Sequence, residues 1–197
     1  MRTRDANKEK IIRQKALEMI VEEGFDGLSM QRLAKVAAVS PATIYIYFKD
    51  REDLILQLCV ELNKRISDAT LKGFDPQMHF DEGMKVQWIN RAKYCMKYPK
   101  EMYFIEQIRF SPFYEKSVAM MDKTFITAMG TFVNNAIKRG ELTSLPIEVF
   151  WSIAFAPLYA MVKFHMSEKG FPGGKKFVLT NKIMMRTLEH VLKALRP

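Results

Sequence analysis

Residues 40 to 48, SPATIYIYF, place four hydroxyl groups, those of Ser40, Thr43, Tyr45 and Tyr47, within nine positions that carry no charge. Neutral hydroxyls supply neither a general base nor a metal ligand set. Their chemistry is hydrogen bonding to phosphate oxygens or base edges, and the small Ala42 and aliphatic Ile46 beside them suit close approach to thymine methyls. Residues fit for catalysis are scattered. His79, His165 and His190 stand apart from one another, and no HExxH, GxSxG, paired-cysteine or phosphate-loop pattern is present. An all-α enzyme would need a site assembled from dispersed residues, so no catalytic, metal or cofactor-binding residue is expected.

If residues 40–48 are helical, at about 100° per residue Ile44 and Phe48 lie roughly 40° apart and define the buried stripe. Ala42, Thr43, Ile46 and Tyr47 then fall on the far side, with Tyr45 on the flank. On geometry alone this uncharged outer face fits either a major groove or the surface of a neighbouring helix.

The elements that would position it are helices throughout. Apolar residues recur at three- and four-residue spacing and no segment alternates with period two. Ile12, Ala16, Met19 and Ile20 share one face of a first helix that Gly24 closes. Ser29 caps a short second helix, and Ser40 with Pro41 starts a third. Ala34, the turn residue Ala38 and Ile44 have the spacing of a helix-turn-helix, with Val36, Val39 and Phe48 completing its core. Asp50, followed by Glu52 and Asp53, opens a long helix to about Lys72. Further helices are expected near 80–97, 99–109, 114–139, 146–168 and 176–195, an all-α fold of about nine helices. The division expected is 1–49 for DNA binding, 50–72 as a connecting helix and 73–197 as a second domain. Composition supports the last boundary, because residues 73–197 hold 19 of the 23 aromatic residues.

The stretch GFDGLSMQRLAKVAAVSPATIYIYFKDREDL, Gly24 to Leu54, closely resembles the N-terminal DNA-binding region of the tetracycline-repressor (TetR) family of bacterial transcription regulators. The residues that carry the resemblance are Gly24, Leu28 and Ser29, then Thr43, Ile44, Tyr45, Tyr47 and Phe48, then Lys49, Glu52 and Leu54. The resemblance implies that Thr43, Tyr45 and Tyr47 contact backbone or bases and that Lys49 contacts a phosphate. It places Ser40, Pro41 and Ala42 at the tip of the recognition helix, and Gln31 where its amide can reach an adenine edge. Ala38 and Ala42 stand where the family often has glycine. If Ala38 adopts positive φ, strain of about 1 kcal/mol is expected.

The resemblance further implies that the C-terminal helices dimerise and enclose a small, largely apolar effector. Met184, Leu188, Val191, Leu192 and Leu195 form one stripe, and Phe150 to Met161 a second, through which the last two helices could build a four-helix homodimer interface; ordinary intrachain core is the alternative. Trp88, Phe104, Gln107, Phe110, Phe113, Phe125, Met129, Phe155 and Tyr159 are the candidate cavity lining, although such residues at helical spacing also fit plain core. The reading is therefore of a ligand-responsive, sequence-specific repressor of a palindromic double-stranded operator.

Charge agrees with a polyanionic partner. The chain has 31 Lys and Arg against 22 Asp and Glu, and Arg2, Arg4, Lys8, Lys10, Arg13 and Lys15 face only Asp5 and Glu9 near the N-terminus. Charge alone would also fit a nonspecific nucleic-acid binder. Cys59 and Cys95 are expected to be buried free thiols. The N-terminus has no apolar signal-peptide stretch, and the most apolar run, Val149 to Val162, is shorter than the roughly 18–20 residues that span a bilayer. A cytoplasmic protein without a membrane partner is expected.

Overall fold

The computed structural model describes residues 5–168, 170–172 and 174–197, so Arg2 and Arg4 of the basic arm lie outside the described residues. In chain order the α-helices are α1 (Ala6–Glu23), α2 (Met30–Val36), α3 (Pro41–Ile44), α4 (Arg51–Thr70), α5 (Phe80–Lys97), α6 (Pro99–Ile108), α7 (Tyr114–Ala119), α8 (Thr124–Lys138), α9 (Ile147–Ala154), α10 (Ala156–Met166) and α11 (Asn181–Leu195), with a 3₁₀ turn at Phe25–Gly27. No strand occurs among the described residues.

Among the described residues the fold is all-α, with eleven helices where about nine were expected. The two extra breaks have different causes. Pro157 has no N–H to offer the carbonyl one turn back, so the apolar run splits at Phe155 and α9 and α10 meet at a 41° bend. The break at residues 120–123 contains neither Pro nor Gly. It falls where the chain passes from one compact unit to the other. Among the described residues no single helix is long and apolar enough to cross a membrane.

Those units are Met1–Arg65 with Tyr98–Asp122, and Ile66–Lys97 with Lys123–Pro197. They do not follow the expected boundaries at 49 and 72. In the first unit Ile12, Ala16, Met19 and Ile20 are buried as the α1 spacing requires, joined by Leu28, Leu33, Ala34, Ile44 and Phe48. Phe104 and Ile108 of α6 enter this same core, and Phe25 packs edge-on to Phe104 with ring centroids 6.0 Å apart. Val36, expected in that core, is half exposed because α2 ends there.

The second unit has its own core. Phe80 stacks on Phe132 at 5.7 Å, and Gly83 lets the Phe132 ring lie so close that a Cβ there would be 2.4 Å from it. Helix α5 packs on α8, α10 and α11, while α11 also packs on α9. This corrects the expected dimer stripe: Met184, Leu188, Val191 and Leu195 are buried inside the unit itself, with only Leu192 of that set half exposed. Cys59 and Cys95 are buried free thiols, and burial pushes the Cys95 thiol up to about 11, against the opposing pull of the Arg91 charge.

Candidate functional site

The helix-turn-helix is fixed by local chemistry. Ser29 Oγ accepts from the N–H of Arg32 at 3.2 Å and starts α2. Ala34 is buried where α2 meets the turn, and its carbonyl accepts the Val39 N–H at 3.0 Å. Ala38 takes φ +53°, the left-handed conformation in which a β-carbon is strained. Ser40 Oγ then accepts from the Thr43 N–H at 3.2 Å, with Pro41 at the first helical position.

Helix α3 ends at Ile44, and this changes which side chains face outward. Beyond it the N–H groups of Ile46 and Tyr47 bond three residues back, to Thr43 and Ile44. On a regular helix Tyr47 would lie about 60° from Ile44, and in such a tightened turn residues three apart eclipse, so it falls beneath Ile44. Tyr47 is accordingly only 7% exposed; its hydroxyl accepts from the Asp5 N–H at 2.8 Å and donates to the Asp5 carbonyl at 3.1 Å. Thr43 is also buried, its hydroxyl 2.8 Å from that of Ser40. Neither belongs to the outer face expected for them. Ile46 is half buried against the first unit's core.

What does face outward is Ser40, Pro41, Ala42 and Tyr45, the last 55% exposed, with Gln31 and Lys49 also exposed. No acidic side chain occurs from residue 27 to 49, while Arg32, Lys35 and Lys49 are basic. Arg32 is held by a two-pronged pair to Glu23 at 2.7 Å, which lowers the Glu23 carboxyl below its usual range. The surface is therefore a small, neutral, hydroxyl-bearing tip flanked by exposed Lys35 and Lys49. It is anchored from behind. Arg13 bonds Glu9 at 2.8 Å and Gln57 at 2.9 Å and lies 4.9 Å over the Phe48 ring, while Arg51 donates to the carbonyls of Leu28, at 2.9 Å, and Phe25. Asp50 caps α4 through the Asp53 N–H at 2.8 Å, and Asp53 reaches back to the Lys49 N–H at 2.8 Å.

Residues 12–58 match the family described as bacterial regulatory proteins, tetR family. The helix-turn-helix segment of this chain is thus similar to the DNA-binding domain of that family. An uncharacterized HTH-type transcriptional regulator of Haemophilus influenzae is 26% identical over 136 residues, which cover 69% of this chain and 71% of that protein. Two solved structures share the fold. A TetR-family transcriptional regulator from Haemophilus influenzae superposes with a TM-score of 0.78 at 21% identity, over 97% of each chain. FadR from Bacillus subtilis, in complex with stearoyl-CoA, does so with a TM-score of 0.71 at 17% identity, over 95% of this chain and all of that one.

The effector lining expected from the resemblance divides between the two units. Phe104 is buried in the first unit's core, Phe113 packs at a tilt against Phe25 with ring centroids 5.4 Å apart, and Gln107 donates to the Val21 carbonyl at 3.4 Å. Phe110 is 85% exposed and lines nothing in its unit, because α6 ends at Ile108 and the chain turns. In the second unit Trp88 is fully buried and donates its indole N–H to the Ala154 carbonyl at 2.8 Å, and Met129 is buried.

Phe125, Phe155 and Tyr159 do come together, around a residue the sequence reading passed over. The Arg91 guanidinium lies 4.3 Å from the Phe155 ring, 5.0 Å from Trp151 and 5.2 Å from Phe125, and its Nη1 donates to the Tyr159 hydroxyl at 2.6 Å. The signal for it was its register. Met84, Trp88, Arg91 and Cys95 follow one another at spacings of four, three and four, so the arginine sits on the apolar stripe of α5. Among the described residues no group of three His, Cys, Asp or Glu side chains could hold a metal ion.

Proposed function

We propose that this chain is a homodimeric, ligand-responsive repressor that docks the tip Ser40–Pro41–Ala42–Tyr45 in the major groove of a palindromic operator. One observation carries the reading: the tip is exposed, uncharged and hydroxyl-bearing, in a stretch without a single acidic residue. Ser40 and Tyr45 offer hydrogen bonds, Ala42 allows close approach, and Gln31 and Lys49 extend the contact to a base edge and a phosphate. Thr43 and Tyr47 hold the tip in shape from inside.

A dimer would set two such tips about one helical turn of DNA apart, roughly 34 Å. Exposed Ala156, Ala160 and Phe164, at four-residue spacing on α10, and exposed Ile183 on α11 offer the surface for it in the last two helices. The effector belongs to the second unit; that a chain of this fold can hold a small molecule at all is supported by FadR, whose solved complex contains stearoyl-CoA. The chain passes between the units after Arg65, after Lys97 and after Asp122. A change in the second unit therefore pulls directly on α4 and on the start of α6. The deciding experiment is footprinting of the purified chain on the DNA flanking its own gene, followed by anisotropy titrations against the protected duplex and a scrambled one across a salt series. A palindromic footprint with at least about a thousandfold preference fits the reading; equal, purely salt-driven affinity for both duplexes refutes it.

A further inference from the structure

We infer that the second unit binds a monoanionic organic acid, an apolar body ending in a carboxylate, with the carboxylate on the side edge of Arg91. Arg91 is 4% exposed, and no carboxylate of the described residues pairs with it. Its Nε and Nη2 have no hydrogen-bond partner at all. A buried, unpaired guanidinium is expensive, and the three aromatic rings around it offset only part of its charge. The neighbouring Cys95 cannot serve as counter-ion, because burial keeps it a neutral thiol.

The two unpartnered atoms decide the class of ligand. Nε and Nη2 are adjacent, and their N–H bonds run parallel along one edge of the guanidinium, the fork that takes both oxygens of a carboxylate. A single cation balances a single negative charge, which favours a carboxylate over a phosphate dianion. Phe125 and Trp151 are both only half buried, so apolar surface continues outward from the guanidinium for the body of the ligand. One turn earlier, fully buried Gln87 donates to the Thr70 carbonyl at 2.9 Å and leaves its Oε1 unpartnered, a free acceptor on the same face of α5. This inference rests on the reading of the second unit as the effector-binding part and specifies the effector's chemistry.

The test uses the full chain and two matched pairs, octanoate with methyl octanoate and 4-tert-butylbenzoate with its methyl ester, at constant ionic strength. Binding is followed by calorimetry and by tryptophan fluorescence, since Trp151 touches Arg91. The wild type should bind at least one acid about tenfold or more tightly than its ester, as expected for a charge-assisted pair out of water. Arg91→Met should lose that preference while its ligand-free melting temperature stays level or rises, because an unpaired buried charge has gone. Arg91→Lys, which keeps the charge but lacks the fork, guards against a variant that fails to fold and should bind the acid more weakly than wild type.

No binding of either acid, equal binding of acid and ester by the wild type, or an acid preference surviving in Arg91→Met overturns the inference. Operator release is scored separately. An acid that binds through Arg91 yet leaves the operator complex intact upholds the site and removes the effector role, whereas release by an ester alone upholds the effector role and removes the acid.

Discussion

Tyr45 and Tyr47 lie two residues apart and should behave as opposites. Tyr47→Phe deletes a hydroxyl that makes two hydrogen bonds to the Asp5 backbone, tying the start of α1 to the end of the recognition element. Two such bonds are worth about 1 kcal/mol each, but Asp5 is only half buried and water can replace part of the loss. A net destabilisation of about 1 kcal/mol follows, equivalent to about 2–4 °C in Tm for a chain of this size. Tyr45→Phe removes a hydroxyl from a ring that is 55% exposed, so its Tm should stay within about 1 °C of wild type. Operator affinity should divide the other way. Tyr45→Phe loses a phosphate or base contact of about 1 kcal/mol, roughly fivefold in Kd, while Tyr47→Phe, assayed well below its melting point, should stay within about twofold. Scanning calorimetry and fluorescence anisotropy on the same three preparations settle it. Refutation would be a Tyr47→Phe protein that melts like wild type yet binds operator several-fold more weakly, since that hydroxyl would then be reaching DNA.

Four further outcomes are expected. Ala38→Gly should raise stability by about 0.5–1 kcal/mol, because relief of a β-carbon at φ +53° outweighs the extra chain entropy of glycine; urea unfolding measures it. Gly83→Ala should lower stability by about 1–3 kcal/mol in the same assay, its methyl meeting the Phe132 ring at 2.4 Å. Lys49→Gln should reduce the slope of log Kd against log salt by about one, with little change in discrimination between operator and scrambled duplex. The Glu141 carboxyl is held down to about 2, chiefly by its bonds from Arg139, helped by His79 and the Phe80 N–H. A depressed folded-state pKa contributes stability above pH 4.5 and loses it as pH falls towards 2, so melting scans of Glu141→Gln should fall less steeply than wild type across that window.

What could be read from sequence was what local chemistry alone decides. Caps at Ser29, Ser40 and Asp50, proline at the first position of α3 and the left-handed Ala38 each depend on a few neighbouring residues, and all stand where the spacing puts them. Tyr47 was misplaced for an equally local reason. At 100° per residue Tyr47 lies about 60° from Ile44, at the edge of the buried stripe and not on the far side, and α3 stops one turn in, so the tighter turn after it carries Tyr47 fully beneath Ile44. The division into units was out of reach. Aromatic enrichment after residue 73 marks helices with faces to bury, but nothing local says that Phe104 and Ile108 enter the core beneath α1 while Trp88 enters another.

Arg91 is the instructive case. Charged residues on amphipathic helices normally face water, and a reading that assigns them there by default is right for Lys85, Lys93 and Lys97 of the same helix, all three of them exposed. The register of Arg91 is different: between Trp88 and Cys95 on the buried stripe, a guanidinium must either find a carboxylate in its own fold or keep its donors unmet. The rings of Trp151, Phe155 and Phe125 crowd it without supplying an acceptor for Nε or Nη2. A fold under selection only for stability would gain by placing methionine there, as at position 84 two turns away on the same stripe. That arginine stands there instead argues that its missing partner arrives from outside the chain.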